Sequence, residues 1–567
     1  MTPRFPTTAL LRKARATALA AVALSLGTFT VGTPAPAVAG QAATLTPSQW
    51  REDLEFTMQK IQDVHPALYR RVKRDSLEEA VEKLDRTIPE LNDDQMVVGL
   101  MRLVSKIRDA QTMIAPWGSK LAGGTSFPIR FRKFSDGLFI TEAEKEHAEL
   151  AGAQVLQIGG VPVDEAFDRV ASLLSYDNAF TRFYRGPIAL ATPAIAHGAG
   201  LARNRDALEV TVRTRKGAKR TVRVAAVPDE TRGEWLWKEE GLPVSEEVTA
   251  TDGVPECPVT KRRDQSYWFT YLPDQKILYV QFNDVRNDKE EPFDRFCERM
   301  WQEADKHEVD KLILDVRHND GGMGRILNPL LHGVIKRDSI NRPGGFLMLT
   351  GRATSGAAVD CQAFFEEHTN VLFVGEPSGA APNHADDPAR YVLPQSGLEL
   401  QVSKYFWTNA APWDRRVGIM PQIPVAVSSK DFFAGRDPVY DAAVALKDYT
   451  SLPDLLREAA AGGLAKVRAA YREFRQRYPE AYGQTYEEEI NYLGYTLLSA
   501  DSIDQAVVVF RLNTELFPQS WNVWDSLGEG LMAKGDVAGA IENYEKSVKL
   551  NPENAGGKAM LRTLREK

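Results

Sequence analysis

Two stretches of this 567-residue chain have residue types and spacing suited to acyl transfer. In "FLMLTGRATSGAAVD", Phe346 to Asp360, an apolar strand pattern runs into a turn of small residues. Ser355 stands where a helix opens with Gly356-Ala357-Ala358. A serine at that place meets the positive end of the helix dipole, which favours an alkoxide and a nearby oxyanion. A serine before a helix also serves as an ordinary N-cap, and the segment alone leaves both roles open. In "LILDVRHNDGGMG", Leu312 to Gly324, a buried-strand pattern ends in polar residues and the pair Gly321-Gly322. Adjacent glycines let the backbone turn sharply and present N–H groups to an oxyanion, although a plain strand-to-helix turn uses the same residues.

A nucleophilic serine needs a group that accepts its proton near neutral pH. His384, in "APNHADDP", has Asp386 and Asp387 beside it to orient an imidazole; a solvent-facing loop histidine is the other reading. His318 adjoins the diglycine turn, and His65 precedes Pro66 in a helical region and reads as structural. No ligand cluster supports a metal, and no cofactor is expected. Cys257, Cys297 and Cys361 fit neither a zinc site nor a disulfide framework. An oxidising compartment would permit a Cys257–Cys297 pair, while Cys361 reads as packed at a helix start.

The elements that must position these groups are legible as patterns. Apolar residues recur at helical spacing through "WREDLEFTMQKIQDVHPALY" and "DDQMVVGLMRLVSKI", giving a helical region at 45–118. "SFPIRFRKFSDGLFIT" alternates like strands, "AGAQVLQIGGVPVDEAFDRVASLL" reads as strand, turn, strand start and helix, and "ALEVTVRTRKGAKRTVRVAAV" as a hairpin turning at Lys216-Gly217. Residues 119–228 therefore form a β-rich segment. Residues 229–265 are polar and aperiodic, an insertion or linker, and 266–448 alternate buried strands with helices, an α/β core. From 452 to 567 the sequence repeats: Leu493-Gly494 as Leu527-Gly528, Ala506 as Ala540, Phe510 as Tyr544, Leu516 as Leu550 and Pro518 as Pro552, each 34 residues apart. That is the tetratricopeptide period, and an earlier helix pair from Leu452 to Pro479 would complete the stack.

The first 39 residues carry Arg4, Arg12, Lys13 and Arg15, an apolar run from Ala16 to Val31, and Ala37-Val38-Ala39 before Gly40. They read as a secretory signal, which implies a periplasmic or secreted protein without stable membrane insertion. The formal net charge of −7 gives no electrostatic reason to expect nucleic acid.

The ordered set "LILDVRHNDGG", "ATSGAA" and "LFVGEPSG", followed by "LPQSGLELQVS" and "GIMPQIPV" and preceded by "VHPALY" and "KIRDAQTMI", resembles the tail-specific (C-terminal processing) and tricorn-core serine peptidases from about residue 50 to 445. The 119–228 segment resembles part of a PDZ-like module. The resemblance implies a crotonase-like β-β-α spiral core with Ser355 as nucleophile. It also implies an oxyanion hole from the amides of Gly321 or Gly322 and of Gly356, and a peptide or protein substrate. Asp414 falls near the family's third acidic member.

The chain departs from that family at the base. The tail-specific branch has a lysine shortly after its "V-G-E-x-T-x-G" element, where this chain reads "EPSGAAPNHADD". Tricorn-like members use the histidine of a "D-x-H-T" motif, where this chain has Asp109-Ala110-Gln111-Thr112. Glutamine takes up no proton at physiological pH, so Gln111 is a degenerate base position. The expectation is an exported serine-type peptidase acting through Ser355 with His384 as base. The alternative is a catalytically impaired relative that binds peptides through the cleft and protein partners through the repeats.

Overall fold

A computed structural model of the chain describes residues 44–119, 121–230, 246–251, 254, 257–479, 482 and 485–566. The expected secretory signal at 1–39 lies outside the described residues, as does 231–245 of the expected linker. The described part of that linker is not all irregular: Glu247–Thr249 pairs antiparallel with the edge of Gly137–Glu144. Its mixed-charge sequence has no strand periodicity, and an available sheet edge supplies the pairing.

Three helices, Pro47–Val64, Arg74–Thr87 and Asp93–Ser105, open the described chain. The first starts at a capping box, Thr46 with Gln49, with Pro47 at its first turn. Its buried Asp53 accepts from the backbone N–H groups of Gln395 and Ser396 at 2.9 and 2.8 Å, gripping the tip of the hairpin formed by Asn383–Val392 and Glu399–Thr408. A second β-sheet holds Ile129–Phe134, Gly137–Glu144, Gln154–Ile158, Ala207–Arg213 and Lys219–Ala225.

The central sheet explains why its strands read as continuous apolar runs. Tyr267–Leu272 pairs antiparallel with Ile277–Phe282. Lys311–Asp315, Phe346–Thr350, Leu372–Gly375 and Ile423–Pro424 then follow in spatial order, all parallel. One face, including Leu278, Val280, Leu312, Leu314 and Met348, packs on the helices Phe293–Ala304, Asn328–Ile335 and Ala357–His368. The other, including Tyr279, Ile313, Leu347, Leu349 and Val374, packs on Pro438–Ala445 and the C-terminal helices. A sheet covered on both sides needs apolar residues at every position, not at alternate ones.

The C-terminal helices keep the 34-residue offset, with Glu487–Ser499 and Ile503–Leu516 followed by Trp521–Lys534 and Val537–Leu550. A Cβ at Gly494 would lie 2.2 Å from the ring of the fully buried Phe510, whereas one at Gly528 would sit 3.2 Å from Tyr544. Overpacking of the first kind costs about 1–3 kcal/mol, set against roughly 1 kcal/mol gained by alanine over glycine in a helix. Gly494→Ala is therefore expected to destabilise the chain in urea unfolding followed by circular dichroism. Gly528→Ala should leave stability unchanged or slightly raised.

Candidate active site

The serine turn is fastened from several sides. Strand Phe346–Thr350 ends in the sheet, and the Thr354 hydroxyl donates to the Val316 carbonyl at 2.9 Å. The Ser355 N–H donates to the Asn319 carbonyl at 3.1 Å, and Gly379 N–H donates to the Thr354 carbonyl at 2.8 Å. The helix begins at Ala357 with Gly356 as its cap residue, so Ser355 stands one residue before the cap position. Its hydroxyl caps nothing; it donates to the Asp320 carbonyl at 3.2 Å and is partly open to solvent.

The diglycine loop lies directly against this turn. A Cβ at Gly321 would come within 2.9 Å of the Ala357 nitrogen, and one at Gly322 within 2.2 Å of the Val285 carbonyl oxygen. Both glycines, and Gly356, have positive φ, so sterics and backbone conformation each demand glycine. Of the two alternatives for the loop donor, the Gly321 N–H is already taken, donating to Asn319 Oδ1 at 3.0 Å. The amides of Gly322 and Gly356 make no hydrogen bond among the described residues. These two, with the first turn of the helix behind them, are the donors left for an oxyanion.

His384 is not in a solvent-facing loop. It belongs to strand Asn383–Val392, opposite Trp407, and is 2 % exposed. Nδ1 bonds the Ala381 carbonyl at 2.8 Å, which fixes that nitrogen as the donor and leaves Nε2 to exchange a proton. Nε2 makes no hydrogen bond; it lies 3.5 Å from Asp386 Oδ2 and 3.9 Å from Asp360 Oδ1. Burial works against a charged imidazole, but the carboxylates of Asp386, Asp360 and Asp177 outweigh it and push the pKa up to about 9. Burial in turn raises the Asp360 carboxyl to about 6. Asp386 Oδ2 also lies 3.3 Å from where a Cβ on Gly356 would be, so the histidine–aspartate pair borders the residue after the serine.

The other sequence candidates fall elsewhere. Asp414 does not orient His384: its carboxylate accepts from the Arg416 N–H and guanidinium, the latter an ion pair at 2.8 Å. His318 Nε2 bonds the Val259 carbonyl at 2.7 Å. His65 Nε2 bonds Asp109 at 3.0 Å, and that carboxylate also accepts from Thr112 at 2.5 Å and Ser403 at 2.7 Å, a buried structural node. Gln111 follows this node, its N–H donating to Asp109 Oδ1 at 3.0 Å. Arg185, which donates to the neighbouring Ala110 carbonyl, has Asp320 among its charge neighbours, and the Asp320 carbonyl accepts from Ser355. No disulfide joins any two of the three cysteines, so Cys257 and Cys297 do not pair. Among the described residues no group of His, Cys, Asp or Glu converges to hold a metal, and no helix is long and apolar enough to cross a membrane.

Asp360, Asp386 and Asp177 carried no signal as a set, because they come from a helix, a strand and a distant loop.

Compared with solved structures, the chain aligns over 71% of its length with 99% of a serine-to-alanine mutant of CPAF, at 11% identity and a TM-score of 0.52. The core shares its fold with CPAF. The mature form of CPAF aligns with 70% of the chain at 12% identity and a TM-score of 0.49, and the photosystem II D1 C-terminal processing protease with 68% at 13% and 0.32. The CPAF likeness in fold agrees with the resemblance carried by the sequence motifs. Neither a family model nor a curated protein matches the sequence.

Proposed function

We propose that the chain is a serine-type peptidase of the tail-specific and tricorn-core kind. Ser355 is its nucleophile, the amides of Gly322 and Gly356 form its oxyanion hole, and His384 is its base, coupled to Asp386. The observation that carries this reading is an accessible serine hydroxyl at the head of a helix, beside two glycine amides that make no hydrogen bond among the described residues. Attack by the Ser355 oxygen on a peptide carbonyl forms a tetrahedral oxyanion, which the two N–H groups stabilise without reorganising. The proton leaves toward Nε2 of His384 through one water, since Ser355 and Nε2 share no direct hydrogen bond, and returns to the leaving amine. The shared fold supports a peptide or protein as substrate, and the leader-like first 39 residues support an exported enzyme. The 34-residue helical repeat is read as a tetratricopeptide surface that holds a protein partner.

Gln111 favours a second reading, a chain whose cleft binds peptides without cleaving them. A fluorophosphonate probe separates the two. The parent chain is expected to label covalently and Ser355→Ala to label not at all. Absence of labelling in the parent from neutral to alkaline pH would establish the binding protein instead.

A further inference from the structure

The C-terminal helices are not an appendage to the α/β core. Leu456, Phe474 and Ile490 share one buried cluster with the sheet residues Ile313, Leu349 and Val374. Between helices Leu464–Arg477 and Glu487–Ser499, the rings of Tyr478 and Tyr486 pack on Phe474 at 5.1 and 5.5 Å. Tyr482, midway between them, leaves the stack and packs edge-to-face with Phe180 at 5.3 Å and 82°. Its φ is 61°, a left-handed conformation that a tyrosine rarely adopts and that surrounding packing must hold. Its hydroxyl is buried without a hydrogen-bond partner among the described residues, so the ring makes the contact.

Phe180 stands at the head of helix Ala179–Leu190, and two paths lead from there to the serine turn. The first is a run of hydrogen bonds. Asn178 caps the helix by accepting from the Phe180 and Thr181 N–H groups, and its side-chain amide donates to the Ser378 and Val417 carbonyls at 2.9 and 2.8 Å. The Thr181 hydroxyl donates to the Gly379 carbonyl. The Gly379 N–H in turn donates to the carbonyl of Thr354, the residue before Ser355. Asn178, Thr181 and Ser378 are all buried. The second path is a run of rings. Phe180 packs on Phe183 at 5.9 Å, and the Arg352 guanidinium lies 5.9 Å from the Phe183 ring while pairing with Glu376. Arg352 opens the turn that Ser355 closes.

We propose that Tyr482 is a positioning residue of the peptidase site, through which the C-terminal helical region fixes the turn that carries Ser355. The ring braces Phe180, the helix head braces the 378–379 loop, and that loop holds Thr354. A turn held this way keeps the serine hydroxyl beside the Gly322 and Gly356 amides, where small misplacements cost rate. This role rests on the peptidase reading for what the turn does; the contact itself does not.

The test compares full-length Tyr482→Ala, Tyr482→Phe and Thr181→Val with the parent. Tyr482→Ala is expected to slow fluorophosphonate labelling of Ser355 about ten- to a hundredfold. The loss should be equal at every pH and should not move the pH at which labelling levels off. Tyr482→Phe keeps the ring and should label like the parent. Thr181→Val removes a link remote from the C-terminal helices and should slow labelling too. Combined with Tyr482→Ala it should cost less than the product of the two effects, because both lie on one path. Hydrogen exchange reads the same bracing without chemistry. In Tyr482→Ala, residues 353–356 and 376–381 should exchange about tenfold faster, while 521–550 stays as protected as in the parent. Parent-like labelling and exchange in Tyr482→Ala, a phenylalanine variant as slow as the alanine one, fully multiplicative effects, or faster exchange throughout 521–550 would overturn the role. A parent chain that takes no label removes the peptidase reading, and the exchange result then decides the bracing alone.

Discussion

Arg317→Ala is expected to destabilise the chain by about 3–5 kcal/mol, the usual loss when one partner of a buried ion pair is removed. Arg317 sits between two carboxylates. Its Nε and Nη2 donate to Asp315 at 2.9 and 2.6 Å, and Nη1 and Nη2 donate to Asp437 at 2.7 and 2.8 Å. Tyr279 adds a hydroxyl to Asp315 at 2.8 Å. All of these side chains are buried, and the charged three lie where strand Lys311–Asp315 leaves the sheet for the diglycine loop. Deleting the guanidinium strands two buried carboxylates, and the chain must then protonate them, hydrate them or unfold. Burial alone would raise Asp315, yet Arg317 holds it below the usual carboxylate range, so its stabilising contribution is lost on acidification.

Urea unfolding at pH 7 measures the loss, and a change below about 1 kcal/mol, the scale of an exposed pair, would refute the assignment. Adding Asp315→Asn and Asp437→Asn to Arg317→Met is expected to recover part of the loss, because no charge then remains unpaired. Fluorophosphonate labelling should fall with the single variant, since Asn319 and the diglycine loop follow Arg317 directly.

What the sequence disclosed and what it hid follow from how each feature is encoded. "LILD", "FLML" and "LFVG" were legible as strands because burial on both sheet faces leaves no polar position to blur them. The C-terminal helices were legible because Leu493-Gly494 and Leu527-Gly528 solve the same packing problem twice. The strand carrying His384 was hidden by "PNHADDPARYV", whose Pro and Asp residues have poor strand propensity; pairing with Glu399–Thr408 imposes it, with Asp387 at a φ of 54° where the ladder is interrupted. The occupied Gly321 amide was hidden because Asn319 looks in sequence like any turn residue. The Tyr482 contact joins that ring to Phe180 and, through the helix head, to Gly379 and Thr354, a juxtaposition that no local pattern records.

The last expectation concerns pH, and it separates this site from one built on an ordinary histidine. With a pKa pushed up to about 9, His384 is an imidazolium at pH 7, and only about 1% of it is in the neutral form that the proposed base requires. The rate of Ser355 labelling is therefore expected to climb about tenfold per pH unit and to flatten above pH 9, a gain of roughly 50-fold between pH 7 and pH 9. The elevated pKa favours the folded state fully below the ordinary histidine value of 6.5, a contribution lost as pH rises through about 9. Unfolding rates must accordingly be measured beside the labelling. The cause of the shift supplies the decisive variant. Asp386 Oδ2 lies 3.5 Å from Nε2, so Asp386→Asn removes a charge that stabilises the imidazolium and must lower its pKa. The inflection should move toward neutrality and the pH 7 rate should rise, an unusual gain from deleting a carboxylate beside an active site. His384→Gln should abolish the inflection altogether. A flat profile in the parent, or an inflection indifferent to Asp386→Asn, would remove His384 as the base and leave Ser355 an oxyanion site without an acceptor for its proton.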